Sequence, residues 1–125
     1  MECLFMDNKD KQVLTKIHKH ITAIISYCGC CTDFEDFQKD DMRVEACVFN
    51  LMQIGELAKT SLSDDIKKQL PSIPWKQIYG MRNRIVHGYD GIKLKIVWDT
   101  ITDDLPKLQK ELESILEKMA NIIKG

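Results

Sequence analysis

The sequence predicts an all-α fold, an up-and-down four-helix bundle with one short additional helix, and three observations carry that reading. Apolar residues recur at steps of three and four along stretches too long for strands. Six glycines and three prolines in 125 residues fall short of the turn signals that an all-β sandwich needs roughly every 8–12 positions. The length lies within the usual size of one domain, and 44% hydrophobic residues suffice for one core. Residues 1–125 therefore read as a single domain, without repeat, linker or low-complexity stretch.

In chain order, Val13, Leu14, Ile17, Ile21, Ile24, Ile25 and Cys28 form one stripe of a helix starting near Lys11. Gly29 stands where that helix would stop. Thr32 or Asp33 caps a short helix with Glu35 and Asp36 in its first turn. A longer helix runs from about Asp40 through Val44, Cys47, Val48, Leu51, Ile54, Ala58 and Leu62. Gly55 in its middle costs up to ~1 kcal/mol relative to alanine, which points to another helix packed closely there. Ser63 caps a brief turn ending at Leu70-Pro71, and Pro74 opens a helix whose buried stripe is Trp75, Ile78, Met81 and Ile85. Gly88 and Gly91 bracket its end. The last helix spans roughly Leu94 to Ile123, with a kink expected at Pro106, which removes one hydrogen bond and crowds the carbonyl of Thr102.

Charge and composition exclude several classes of function. Eighteen Lys and Arg against nineteen Asp and Glu give a net charge of −1, so no whole-molecule field recruits nucleic acid or a membrane surface. No apolar run approaches the ~20 residues of a membrane-spanning helix. The first residues, MECLFMDNKDKQ, lack the basic-then-apolar order of a secretory signal. With five cysteines, an odd number, the expectation is reduced thiols in the cytoplasm.

The segment Met81-Arg82-Asn83-Arg84-Ile85-Val86-His87-Gly88-Tyr89 carries the chemistry. At about 100° per residue Asn83 and His87 lie one turn apart on one helix face, and Arg82 is ~140° from His87 around the axis. A guanidinium grips phosphate bidentately, and an imidazole moves protons near neutrality. Phosphate clamp, proton carrier and orienting amide are the parts of a metal-independent ribonuclease, in which the RNA 2′-hydroxyl is itself the nucleophile. The same residues also fit solvated helix charges and a histidine favoured by the helix dipole, and spacing does not decide between the two.

The stretch IPWKQIYGMRNRIVHGYDGI resembles the HEPN superfamily, specifically the HepT-type toxins of HepT/MntA toxin–antitoxin modules. Its signature is Arg, a polar residue, three residues, His, any residue, Tyr, matched here by Arg82, Asn83, His87 and Tyr89. Phe37 with Asp40, the run Asn50 to Lys59, Pro71 to Trp75, and Val97-Trp98 before Asp104-Leu105-Pro106 extend the resemblance over most of the chain. Asp90 follows the tyrosine where many members carry an aromatic residue, which makes that rim more acidic. The resemblance implies a helical homodimer with a composite ribonuclease site. In it Arg82 and His87 are catalytic and Asn83 supports them. It also implies an RNA substrate, no DNA or membrane partner, no cofactor or metal, and a nucleotidyltransferase antitoxin of the MntA type that silences the toxin by adding AMP to Tyr89. The rival function is a non-catalytic docking or substrate-presenting subunit of such a nucleotidyltransferase.

Three further features have bland alternatives. Glu56, next to Gly55, either pairs with Arg82 or Arg84 or faces solvent. Cys28, Cys30 and Cys31 hold one Cys-x-x-Cys pair without the second pair of a structural zinc site, and read as inert thiols at a helix end rather than as a redox dithiol. Trp75 and Trp98 read as packing rather than as platforms for bases.

Overall fold

The computed structural model describes residues 7–88 and 93–124, without the side chains of 120–124. Among the described residues seven α-helices occur in order: α1 (Asn8–Tyr27), α2 (Phe34–Gln38), α3 (Asp41–Glu56), α4 (Asp64–Gln69), α5 (Trp75–Gly88), α6 (Leu94–Asp99) and α7 (Leu105–Lys124). No strand occurs among the described residues. The all-α expectation holds, with two short helices beside the main ones, because the turn after Ser63 winds into α4.

Side-chain caps explain where the helices begin. Asp7, Asp33, Asp40 and Ser63 each accept a hydrogen bond from the backbone N–H three residues on, which satisfies a donor that has no partner inside the helix. At the end of α1 the helix stops at Tyr27, one turn before Thr32. Gly29 is not left-handed there, since no described glycine has positive φ; the turn closes instead through Gly29 N–H to Ser26 O at 3.3 Å and Cys31 N–H to Cys28 O at 3.0 Å.

A π-turn extends α3 and another joins α6 to α7. After α3 the chain continues helically through Leu57–Ser61, where the Leu62 N–H bonds the Leu57 carbonyl at 3.2 Å. Between α6 and α7 the π-turn is Thr100–Asp104, with the Leu105 N–H reaching Thr100 O. The irregularity expected at Pro106 thus lies in the turn before it, where one extra residue relieves the crowding that the proline ring imposes on a regular turn. Thr100 and Thr102 Oγ1 donate to the carbonyls of Ile96 and Trp98 at 2.9 and 3.0 Å.

The core lies between α1, α3 and the α6–α7 helix. Leu14, Ile17, Ile21 and Ile24 of α1 meet Val44, Cys47, Leu51 and Ile54 of α3 and Val97, Ile101, Leu105, Leu108 and Leu112 of the last helix. Phe37 of α2 is fully buried, its ring 5.4 Å from that of Trp98. The indole of Trp75 donates to Leu70 O at 3.1 Å; both tryptophans pack against the core. Helix α5 lies on α3. Its expected buried stripe is only partly buried: Ile85 is covered, while Trp75, Ile78 and Met81 are half-buried. The reason is a groove of about 720 Å³ between α5 and the last helix, floored by Leu51, Ile54, Ile78 and Met81.

One buried acidic side chain ties the first helix to the short fourth. Asp10 is 4% exposed, and its carboxylate accepts from the Ser63 N–H at 2.9 Å and the Ser63 hydroxyl at 2.6 Å. Replacing Asp10 with alanine leaves two donors without an acceptor, so Asp10→Ala should lower stability by about 1–3 kcal/mol, read as a lower Tm or denaturant midpoint.

Candidate functional site

Of the sequence-predicted residues, Arg82 and Asn83 of α5 meet Glu56 of α3 where the two helices pack. Gly55 is buried, and a β-carbon built on it would collide with Cβ of Arg82, stand 2.9 Å from its Cγ and 3.3 Å from the Ile78 carbonyl. The missing side chain is therefore what lets α5 lie so close to α3. The glycine costs helix propensity in α3, and it places the base of Arg82 directly on the α3 backbone.

From that position the Arg82 side chain has little freedom. Its Nε donates to Glu56 Oε1 and its Nη1 to Asn83 Oδ1 at 3.0 Å. The arginine side chain is 20% exposed and that of Glu56 35%, so the pair sits at the protein surface but within reach of its low-dielectric side. Nη2 is the guanidinium nitrogen without a partner among the described residues. Asn83 spends its carbonyl oxygen on Arg82, which leaves its amide hydrogens to donate elsewhere.

His87 is exposed, one turn beyond Asn83, in the last turn of α5. Arg84 is also exposed but points elsewhere. At about 100° per residue it is ~160° from Arg82 by the shorter way round, and it lines the groove on the far side of α5 with Lys76, Lys107 and Glu111. That groove contains none of Arg82, Asn83 or His87. Glu56 therefore pairs with Arg82, not Arg84, resolving the alternatives that the sequence leaves open. Tyr89, the remaining motif residue, lies outside the described residues.

The other two histidines of the chain lie away from this place. His18 Nε2 is 2.8 Å from Glu113 Oε2, and His20 Nδ1 is 2.7 Å from Oδ1 of the buried Asn50, whose amide donates to Ala46 O. These contacts join α1 to α7 and α3. Among the described residues no three His, Cys, Asp or Glu side chains converge as metal ligands, and no helix is long and apolar enough to cross a membrane.

The helical bundle, with Arg82 bonded to Asn83 on the helix that carries exposed His87, has the arrangement that the resemblance to the HEPN superfamily implies. The family model described as Ribonuclease HepT-like matches residues 17–115, and the chain belongs to that family. "Putative RNase TTE0752" from Caldanaerobacter subterraneus subsp. tengcongensis is 40% identical over 85 residues, 68% of this chain and 75% of its own. "Putative RNase MJ0127" from Methanocaldococcus jannaschii is 33% identical over 113 residues, covering 90% and 92%. "Probable ribonuclease HepT" from Thermococcus cleftensis is 34% identical over 82 residues, covering 66% and 74%. No solved structure matches the chain.

Two glycines make opposite predictions. Gly80 in the middle of α5 has nothing within 4 Å of a built β-carbon, so Gly80→Ala should stabilise the protein by about 0.4–1 kcal/mol. Gly55→Ala should destabilise it by about 1–3 kcal/mol, since the added methyl must push α5 off α3. Thermal unfolding of the two variants side by side checks both signs.

Proposed function

We propose that this chain is the toxin of a type VII toxin–antitoxin module, a metal-independent endoribonuclease that works as a homodimer in the cytoplasm. The observation that carries the proposal is the fixed guanidinium of Arg82, held by Glu56 and Asn83 at the surface of the helix that ends in exposed His87. A buried arginine paired on every side would be structural; this one keeps a nitrogen to offer.

In the proposed reaction the RNA 2′-hydroxyl attacks its own phosphate and the 5′-oxygen leaves, giving a 2′,3′-cyclic phosphate. Arg82 binds the phosphate and stabilises the charge that grows on its oxygens. His87 takes the proton from the 2′-hydroxyl or gives one to the leaving oxygen, and Asn83 keeps Arg82 aimed. Glu56 has a mixed effect: it orients the guanidinium but sets a negative charge beside an anionic substrate. Holding the geometry outweighs that charge, because a misplaced clamp forfeits more rate than a partly solvated carboxylate repels.

Surface composition supports the dimer. Met42 and Phe49, 82% and 55% exposed, stand fourteen and seven residues before Glu56 on one face of α3. Val86, 47% exposed, lies one turn from Arg82 and Asn83 on α5. Apolar side chains flanking the polar site are what a second copy would cover while bringing its own Arg82 and His87 to the same cleft.

Tyr89 follows α5 directly in sequence. Adenylates on its hydroxyl, supplied by a partner nucleotidyltransferase of the MntA type, would add phosphate charge next to the site, occupy Arg82 and repel RNA.

Arg82→Ala and His87→Ala should each reduce cleavage of total RNA by at least ~10²-fold with circular dichroism unchanged. Phe49→Glu should yield monomers by light scattering and lose cleavage with them. Full cleavage by either site variant removes the assignment and leaves the docking-subunit reading. Incubation with ATP and a MntA-type enzyme should add adenylate mass to the wild type and none to Tyr89→Phe, and the modified protein should no longer cut RNA.

A further inference from the structure

The other concentration of reactive side chains lies where α1 ends, at the turn before α2 and the start of α3. Sequence spacing offers Cys28 with Cys31 as a pair; the structure gives Cys28 a different neighbour. Cys28 Sγ is 3.6 Å from Cys47 Sγ, the contact distance of two sulfurs. Both thiols are free, and they are 9% and 0% exposed. Arg43, one turn before Cys47 on α3, is anchored over the same corner. Its Nε donates to Tyr27 O at 2.8 Å, its Nη2 to Cys30 Sγ at 3.1 Å, and its Nη1 pairs with Asp40 at 3.2 Å.

The two contacting sulfurs are not equivalent. The hydrogen bond from Cys47 holds the Cys28 thiol below its ordinary range, with the Arg43 charge adding to the effect and burial opposing it. The same hydrogen bond, together with burial, pushes Cys47 up. Burial also raises Cys31, so the Cys-x-x-Cys partner is the poorer thiolate. One sulfur of the touching pair is thus prepared as the nucleophile, and the other keeps its proton beside it.

We propose that Cys28 and Cys47 form an oxidisable dithiol site that hydrogen peroxide converts, reversibly, into an intramolecular disulfide. The Cys28 thiolate attacks one peroxide oxygen, the O–O bond breaks, and hydroxide leaves, giving a sulfenic acid on Cys28. The Cys47 sulfur attacks that sulfur, the S–O bond breaks, and the oxygen departs as water with the proton from Cys47. Overall two thiols lose two electrons and two protons to the peroxide, which becomes two waters. The peroxide is small enough to reach a thiol that is nearly covered, and the second sulfur already stands at contact distance, 3.6 Å away. Two equivalents of thiol reductant restore the dithiol by exchange.

The test uses the full chain. After treatment with hydrogen peroxide, free thiols are alkylated in denaturant and the protein is digested with trypsin without reduction. Cleavage after Lys19, Lys39, Arg43 and Lys59 puts Cys28, Cys30 and Cys31 in peptide 20–39 and Cys47 in peptide 44–59. The expected product is peptide 20–39 joined to 44–59, with fragmentation placing the link on Cys28 and dithiothreitol releasing it. Cys30→Ser/Cys31→Ser should still form it. Cys47→Ala removes both the resolving sulfur and the hydrogen bond that prepares Cys28, so it should form no bridge to peptide 44–59 and should consume peroxide more slowly than the wild type. A link within peptide 20–39, Cys47 fully alkylated after oxidation, or loss of the bridge in the Cys30/Cys31 variant overturns the proposal. Should Cys47→Ala fail to fold, the wild-type map and the Cys30/Cys31 variant decide the question alone.

Discussion

The contact between Gly55 and Arg82 is the constraint on which the rest of this site depends. Two helices ordinarily pack about 8–10 Å apart because β-carbons and the side-chain atoms beyond them fill the space between. At Gly55 one of those side chains is absent, and the first atoms of Arg82 occupy its place. A long, flexible side chain that starts from the neighbouring helix's backbone has only one short route to the surface. That route passes Glu56, the next residue on α3. The order glycine then glutamate on one helix thus anchors an arginine from another at its base and at its head. An exposed ion pair by itself contributes little; here it acts on direction, because the base of the arginine is already fixed.

The same packing divides α5 into two working faces. Arg82 and Asn83 lie on the α3 side and the surface beyond it, while Gln77, Gly80 and Arg84 line the open groove toward the last helix. The helix is consequently covered on one flank only, which is why its apolar residues are half-buried although their spacing is that of a core stripe. Supporting so lightly held a helix falls to the elements around it. The Asp10 carboxylate caps and holds the start of α4, the indole of Trp75 closes on Leu70, and the Lys67 ammonium stands 5.2 Å above the Tyr79 ring. Each joins the chain ahead of α5 to something rigid.

The bundle was legible in the sequence because helical periodicity and caps are local signals: Asp33, Asp40 and Ser63 announce starts, the stripe from Val44 to Leu62 is buried residue by residue, and that of α1 is buried except for Ile25. Gly55 was legible too, as a helix interior position whose only rationale is close approach. That the motif helix packs there was implied by the two candidate partners of Glu56, Arg82 and Arg84; the choice of Arg82 over Arg84 was not legible. That choice depends on a rotation of α5 about its axis, which the half-buried stripe Trp75, Ile78 and Met81 specifies weakly. The ties Asp10 to Ser63 and Cys28 to Cys47 span 53 and 19 positions. Nothing in the spacing of either residue marks its partner, because such pairs are set by how helices cross. The Cys-x-x-Cys spacing groups Cys28 with Cys31 and carries no sign of Cys47, whose sulfur touches Cys28. The Pro106 irregularity was expected from the ring's clash, but a π-turn absorbs it upstream, a solution open to any helix with room for one extra residue.

The placement of charge, more than its amount, lets a nearly neutral chain serve an anionic substrate. With a net charge of −1 there is no long-range field to gather RNA, and beyond about 10 Å salt screens what field exists at ordinary ionic strength. Attraction must therefore come from cations held in place at short range. A mobile lysine would lose rotamer entropy on every encounter, and a guanidinium already fixed by Glu56 and Asn83 has lost it during folding. Preorganisation, rather than positive charge in quantity, is the means available to this surface, and it accounts for an acid standing beside the proposed phosphate site. The carboxylate weakens attraction somewhat but removes the larger cost of ordering, so the balance favours keeping it wherever the arginine must meet its target in one orientation.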